Sequence, residues 1–292
     1  MNKKINSLGY VAGLLSAICV TGYVTVNKYV YSNFDIGAFE YSIFFALAGS
    51  LYGVISLIKS NDASIKRDIK NNFISLLILG SAVFIAVGLF IVALNYTTAI
   101  NAAILSTTSI LSTILFSYIL LGEKPKRNQW MWIFTLFLGL YIAIVGLHNI
   151  KLANGDLIVL VSVLFFGFGN AYSRKVMSRI DKPGIVPDVR IAIGGIYAAI
   201  AGFFVFDNSS MLVKILPYAL LSGLFYWLCL KLFAYAVHNI NANEAVVLNN
   251  SHVFFTSVIG VVLLGESYSL EKLIGSVLLV SSVYLISSKR GR

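Results

Sequence analysis

Asn249, Asn250 and His252 stand in the middle of an apolar stretch, residues 242–264, long enough to cross a lipid bilayer. An imidazole that changes charge near neutral pH, beside carboxamides that both donate and accept, can bind a polar solute or carry a proton. At that depth such side chains are costly to bury, which makes them functional candidates. A shift of 143 residues (266 − 123) lays Ala236–Glu266, AVHNINANEAVVLNNSHVFFTSVIGVVLLGE, on Ala93–Glu123, ALNYTTAINAAILSTTSILSTILFSYILLGE, without a gap. It maps Asn249 and His252 onto Ser106 and Ser109. Ala102, Ser106, Ser109, Thr113 and Ser117 follow steps of four and three, one face of a helix, and Ala245, Asn249, His252, Thr256 and Gly260 repeat that face. Small and hydroxyl residues also suit close helix packing, which is an equal reading of the first stripe. Asn249 and His252 tilt the second toward a polar pathway.

Other side chains extend the candidate site. Lys231 lies six residues before the end of the apolar stretch 215–237. It can snorkel to the cytoplasmic headgroups or bind a substrate carboxylate, with Tyr226 and Trp227 as a wall. Asn170, Tyr23 and Asn27 are further polar residues at plausible depth; Lys28 with Glu40 would make an outer charge pair suited to a gate, although a solvated carboxylate at the interface is the plainer reading of Glu40. Glu123 and Glu266 follow glycines where their helices should end, a pattern suited to satisfying backbone groups at the next helix start. Gly49-x-x-x-Gly53 and Gly194-x-x-x-Ala198 read as packing faces. Asn208-Ser-Ser is a glycosylation sequon expected in an outer loop.

The elements that must position these residues are membrane helices. Hydrophobic residues make up 58% of the 292 and charged ones 12%, about half the charge of a soluble domain. Ten stretches suit a spanning helix: 8–30, 36–58, 73–95, 99–121, 129–148, 156–177, 187–206, 215–237, 242–264 and 270–288. The run from Leu8 is long for a signal peptide and has a counterpart near 156–177, so it is read as the first helix. Cys19 and Cys229 fall inside apolar segments and read as small hydrophobes.

The net charge of +10 is a topology signal rather than a nucleic-acid surface. With the amino terminus inside, most of the 22 basic residues, Arg190 among them, fall on the cytoplasmic side. Both termini are then cytoplasmic. The loop after the second stretch carries Lys59, Lys66, Arg67 and Lys70, whereas its counterpart holds only Asp207 and Lys214. Five helices per half is an odd number, so the second copy enters the bilayer reversed. The fold expected is an all-α membrane protein of ten transmembrane helices in two inverted five-helix repeats, residues 1–150 and 151–292.

These features resemble the EamA-type members of the drug/metabolite transporter superfamily. The resemblance rests on Ala93-Leu94, Tyr96-Thr97, the Ala-rich start of the fourth helix and Gly122-Glu123. Ala236, Ala242, Ala245 and Gly265-Glu266 repeat it, and Pro183 to Arg190 matches the family's Pro-to-Arg spacing. The first half has Ile36 and Ile43 at the matching positions, and Ser109 and His252 stand where many members carry a mid-helix proline. The resemblance implies a ten-helix carrier with a central cavity, moving small metabolites or drugs, often outward.

The expected function is secondary transport of a small polar, amino-acid-like metabolite, moved outward by alternating access. The site residues would be His252, Asn249, Asn250, Lys231, Ser106, Ser109, Tyr226 and Asn170, with Glu40 and Lys28 gating. The absence of a Walker-type loop leaves an ion gradient or the substrate's own gradient as the energy source, with proton coupling through His252 as an extension. A multidrug exporter of lipophilic cations is the rival, and it would want a cavity carboxylate such as Glu40 or Glu244. A non-transporting membrane sensor or scaffold is the alternative from another class. No His-Glu-x-x-His, Gly-x-Ser-x-Gly or paired intramembrane aspartate is present, so catalysis is not expected. The partners expected are a small-molecule substrate, the lipid bilayer and protons. Nucleic acid, cofactor and metal are not expected. The state expected is a monomer or weak homo-oligomer in the inner (plasma) membrane of a bacterium.

Overall fold

The computed structural model describes residues 3–60, 63–124, 127–144, 153–180, 183–205, 210–240 and 242–288. Long apolar segments with few breakers fold into helices in chain order. These are α1 (Lys3–Asn33), α2 (Ala38–Ser60), α3 (Ala63–Asn71), α4 (Phe73–Tyr96), α5 (Ala99–Ser106), α6 (Ser109–Leu121), α7 (Arg127–Ile144), α8 (Asn154–Met177), α9 (Val186–Val205), α10 (Ser210–Asn239), α11 (Ala242–Asn250), α12 (His252–Leu264) and α13 (Leu270–Ser288). Taking α5–α6 and α11–α12 each as one broken pass, eight helices are long and apolar enough to cross a membrane. Of the ten stretches expected, those of α7 and α13 fall short of that standard among the described residues, α7 offering only a shorter apolar run, Trp130–Ala143. The basic segment after α2, expected as a loop, forms α3, which tucks Ile65 inward and carries Lys66, Arg67 and Lys70. The sequon at Asn208 lies outside the described residues.

Helix boundaries recur at the 143-residue shift. α5 and α11 begin at 99 and 242, α6 and α12 at 109 and 252, α7 and α13 at 127 and 270. Packing follows the same exchange. α1 lies along α10 as its counterpart α8 lies along α4, α6 packs on α8 as α12 packs on α1, and α2 pairs with α9 and α7 with α13. The main core sits among α1, α2, α4, α8, α9 and α10, around Tyr23, Tyr41, Phe45, Leu79, Phe90 and Leu94. A smaller one, with Ile100, Ile104, Leu136, Val253 and Leu279, joins α5, α7, α12 and α13. Outward faces carry large apolar side chains such as Phe203, Phe204 and Val262, as a lipid-facing surface requires.

Two local signals shape these passes. Gly122 and Gly265 adopt left-handed φ angles of 70° and 66°, which glycine takes without a Cβ penalty. The Glu123 and Glu266 amides reach back to the carbonyls of Ser117 and Gly260, the C-terminal cap that ends α6 and α12. The second signal is a run of hydroxyls. Ser106, Thr107 and Thr108 each donate to the carbonyl three residues back, Ala103, Ile104 and Leu105, at 2.7 Å. The Thr107 and Thr108 amides also turn to carbonyls three residues back, so the ladder tightens and α5 ends before α6 begins. Ser251 does the same to Leu248 at 2.5 Å between α11 and α12. Hydroxyls therefore break both passes, each one residue before Ser109 and His252.

Candidate functional site

The two breaks are adjacent in space. Ser106, the last residue of α5, sets its Oγ 3.1 Å from Nε2 of His252, the first residue of α12. The other ring nitrogen, Nδ1, donates to the Asn249 carbonyl at 2.9 Å, which fixes the tautomer of a neutral ring. Ser106 then has one hydrogen facing two acceptors, Nε2 and the Ala103 carbonyl. On α1, Thr21 meets the His252 carbonyl at 3.3 Å and the Thr256 hydroxyl at 3.1 Å. Asn249 donates to Ser16 at 2.6 Å, and Ser16 donates to the Cys229 carbonyl of α10 at 3.1 Å. His252 is buried, so this polar knot lies at the interior meeting point of α1, α5, α10, α11 and α12.

A cleft opens among α2, α4, α9 and α10. Phe45, Phe84 and Tyr226 form aromatic walls, aliphatic side chains and Gly88 complete them, and among the described residues Arg190 contributes the only charge. Tyr23 links this cleft to α1 and α4, its ring centroid 5.7 Å from Tyr226, 6.3 Å from Phe45 and 6.4 Å from Phe90. Arg190 was counted from sequence as a cytoplasmic flanking residue. It stands one turn into α9, and its side chain lines the cleft with Tyr226 from the middle of α10.

Charges tie the helix ends. Buried Asp188 accepts from Lys231 Nζ at 2.6 Å, from Ser56 at 2.9 Å and from the Trp227 indole at 2.9 Å, joining α9 to α10 and α2. Tyr52 stacks on Trp227 beside it. Elsewhere, Glu266 accepts from the Ala99 and Ile100 amides at 2.6 and 3.0 Å, capping α5 from across the duplication. Lys28 donates to the Leu94 and Thr97 carbonyls at 2.9 and 2.7 Å, satisfying the end of α4. Thr97 donates to Asp156 at 2.5 Å. Glu123, the counterpart of Glu266, pairs with Arg174 at 3.2 Å, and Arg174 also reaches Ser117.

The residues singled out from sequence are thus spread over several environments. Ser106, His252 and Asn249 come together at the breaks, and Tyr226 lines the cleft. Asn250 bonds within its own helix, to the Val246 carbonyl. Ser109 opens α6 and makes no side-chain hydrogen bond among the described residues. Exposed Asn170 lies 3.5 Å from the Thr113 hydroxyl. Lys231 faces Asp188, and Lys28 faces backbone carbonyls, with no ion pair to Glu40. Of the helical stripe, Ser117 turns toward α8 and Thr256 toward α1. Asp188 was missed, although an acid inside the apolar stretch 187–206 was the available signal. Ser16 and Thr21 carried no sequence signal, because hydroxyls are ordinary in membrane helices.

Comparison with known proteins speaks to the family and the fold. The model of the EamA-like transporter family matches residues 7–145 and again residues 153–288. A protein of Methanothermobacter thermautotrophicus named an uncharacterized transporter is 25% identical over 297 residues, covering 95% of this chain and 85% of its own length. The uncharacterized transporter YdeK of Bacillus subtilis is 26% identical over 240 residues, with 78% of this chain and 80% of its own covered. A protein crystal structure superposes with a TM-score of 0.59 at 12% identity over 98% of this chain and 96% of that one, which speaks to the fold alone. With two matches that together span nearly all of its length, the chain belongs to the EamA-like transporter family.

Proposed function

We propose that this transporter moves a small polar, amino-acid-like solute outward across the plasma membrane by alternating access. The observation that carries the reading is the contact between Ser106 and His252, at hydroxyl-made breaks in two passes related by the 143-residue shift. Broken passes free backbone groups and bring polar side chains together at the level where carriers of this architecture hold their solutes. On this reading the chain crosses the bilayer ten times, with α5–α6 and α11–α12 as single passes. The second copy is inverted, and both termini are cytoplasmic. The exchange of partners, α1 with α10 and α8 with α4, supports a rocking motion between copies.

The polar knot also suits a proton as driving ion. In the imidazolium, Nε2 donates to Ser106 and the serine hydroxyl is released to the Ala103 carbonyl, so every hydrogen finds an acceptor. Among the described residues, the cleft lining holds a guanidinium and no carboxylate, which weighs against a lipophilic cation as cargo.

The test is flux of amino acids into proteoliposomes at imposed pH gradients. Flux that rises with the gradient in the wild type, and loses that response in His252→Gln, is the expected result. A gradient response unchanged in His252→Gln removes His252 as the proton carrier, and wild-type flux indifferent to the gradient removes the proton. Failure of every solute in a broad panel to move removes transport of this class.

A further inference from the structure

Arg190 is a cation that lines the cleft without a partner among the described residues, unlike Lys231 on α10. Lys231 has Asp188 at 2.6 Å. Arg190 has no hydrogen-bond or ion-pair partner among the described residues, and its Nε is buried without an acceptor. A guanidinium stays protonated at any physiological pH and carries five donors in a planar fork that matches a carboxylate. Nε is withdrawn from water while the residue as a whole is only part-buried, so the rest of the guanidinium is open to a partner that enters the cleft. Asp188, two residues earlier, lies around the helix and is taken up by Ser56, Trp227 and Lys231.

The setting of this charge narrows what can answer it. The cleft that Arg190 lines is walled by Phe45, Phe84 and Tyr226 and otherwise by aliphatic side chains. Its enclosed part holds about 30 Å³, room for a group the size of a carboxylate, and its mouth is open. One guanidinium balances one negative charge, and a phosphate dianion would ask for more. Aromatic walls favour an apolar, planar body. Among the described residues the lining holds no carboxylate to read an ammonium group.

We propose that Arg190 and its aromatic walls form a subsite for a monocarboxylate with an apolar body, in which the carboxylate is required and an amino group is not. The inference rests on the transport reading for its physiological sense, but the binding itself does not depend on flux.

The experiment measures equilibrium binding of radiolabelled phenylacetate to the purified full chain in detergent, with phenylacetamide and phenethylamine as competitors. Phenylacetate should bind, and both competitors should fail to displace it. Arg190→Gln should weaken binding at least about tenfold, and Arg190→Lys, which keeps the charge but not the fork, by about threefold. Circular dichroism and gel filtration establish that each variant is folded. Should Arg190→Gln not fold, Gly88→Leu serves instead. A Cβ at Gly88 meets nothing within 4 Å, so the larger side chain fills the cleft and should abolish binding.

Absent binding of phenylacetate, equal displacement by phenylacetamide or phenethylamine, or full affinity in folded Arg190→Gln overturns the proposal. Counterflow of phenylacetate in proteoliposomes separates the two readings. Binding without flux of any solute would sink transport and leave the subsite standing. Amino-acid flux without any binding of phenylacetate would sink the subsite and leave transport standing.

Discussion

Ser106 Oγ and His252 Nε2 lie 3.1 Å apart although 146 residues separate them in the chain. Neither residue is at the middle of a continuous helix. One ends α5 and the other begins α12, so the contact fastens one break to the other. Ser106→Ala leaves Nε2 without its partner and should destabilise the protein by about 0.6–1.5 kcal/mol, the range of a hydrogen bond between membrane helices. Ser109→Ala, at the shifted equivalent of His252, should be close to neutral. Thermal melts in detergent compare the two, and equal losses would mean that the contact does not matter to stability.

Glu123 and Glu266 occupy equivalent positions but bear different loads. Glu266 caps α5 through two amides, whereas Glu123 meets Arg174 with both side chains more than two-fifths exposed. Removing the cap in Glu266→Ala should cost about 1–2 kcal/mol. The surface pair lost in Glu123→Ala should cost about 0.5 kcal/mol, because water screens it. Denaturation with sodium dodecyl sulfate measures both. A larger loss at Glu123 would contradict the assignment.

Asp188 and Lys231 form an interior ion pair, with Asp188 buried and Lys231 about one-third exposed. Lys231→Met strands a buried carboxylate and should cost about 2–3 kcal/mol, below the cost of breaking a fully buried pair because Lys231 meets water. Asp188→Asn with Lys231→Met removes both charges and keeps an acceptor for Trp227. The double variant should recover at least half of the loss. A double variant no more stable than Lys231→Met would show that charge compensation is not what Asp188 needs.

Gly223 and Gly88 test packing against open space. A Cβ at Gly223 would come within 2.7 Å of the Gly49 backbone nitrogen on α2, where neither backbone can yield cheaply. Gly223→Ala should therefore destabilise by about 1–3 kcal/mol, as over-packing does. Gly88→Ala faces the cleft and should be neutral or stabilise by up to about 1 kcal/mol through helix propensity. Thermal melts of the two variants decide the matter, and a loss at Gly88 would mean that the cleft is narrower than the structure has it.

The membrane character, eight of the ten expected spans and the duplication are legible in the chain alone. Apolar runs of spanning length must form helices, because lipid offers no partner for free backbone groups. An offset alignment exposes the repeat, and the Leu-Leu-Gly-Glu ends announce the caps that Gly122 and Gly265 form. Partners are another matter. That Lys231 answers Asp188, that Lys28 satisfies the end of α4, and that Glu266 crosses to α5 depend on which helices the fold brings together. A charge in an apolar run states only that it needs an answer, and many answers fit the same sequence. Arg190 shows the reverse case: its flanking position suggests a cytoplasmic residue, and the packing of α2, α4, α9 and α10 makes it a cleft-lining charge without a partner among the described residues. Local sequence fixes helices, breaks and caps through bonds a few residues long, whereas the chemistry of the interior is set by contacts between residues up to 235 apart.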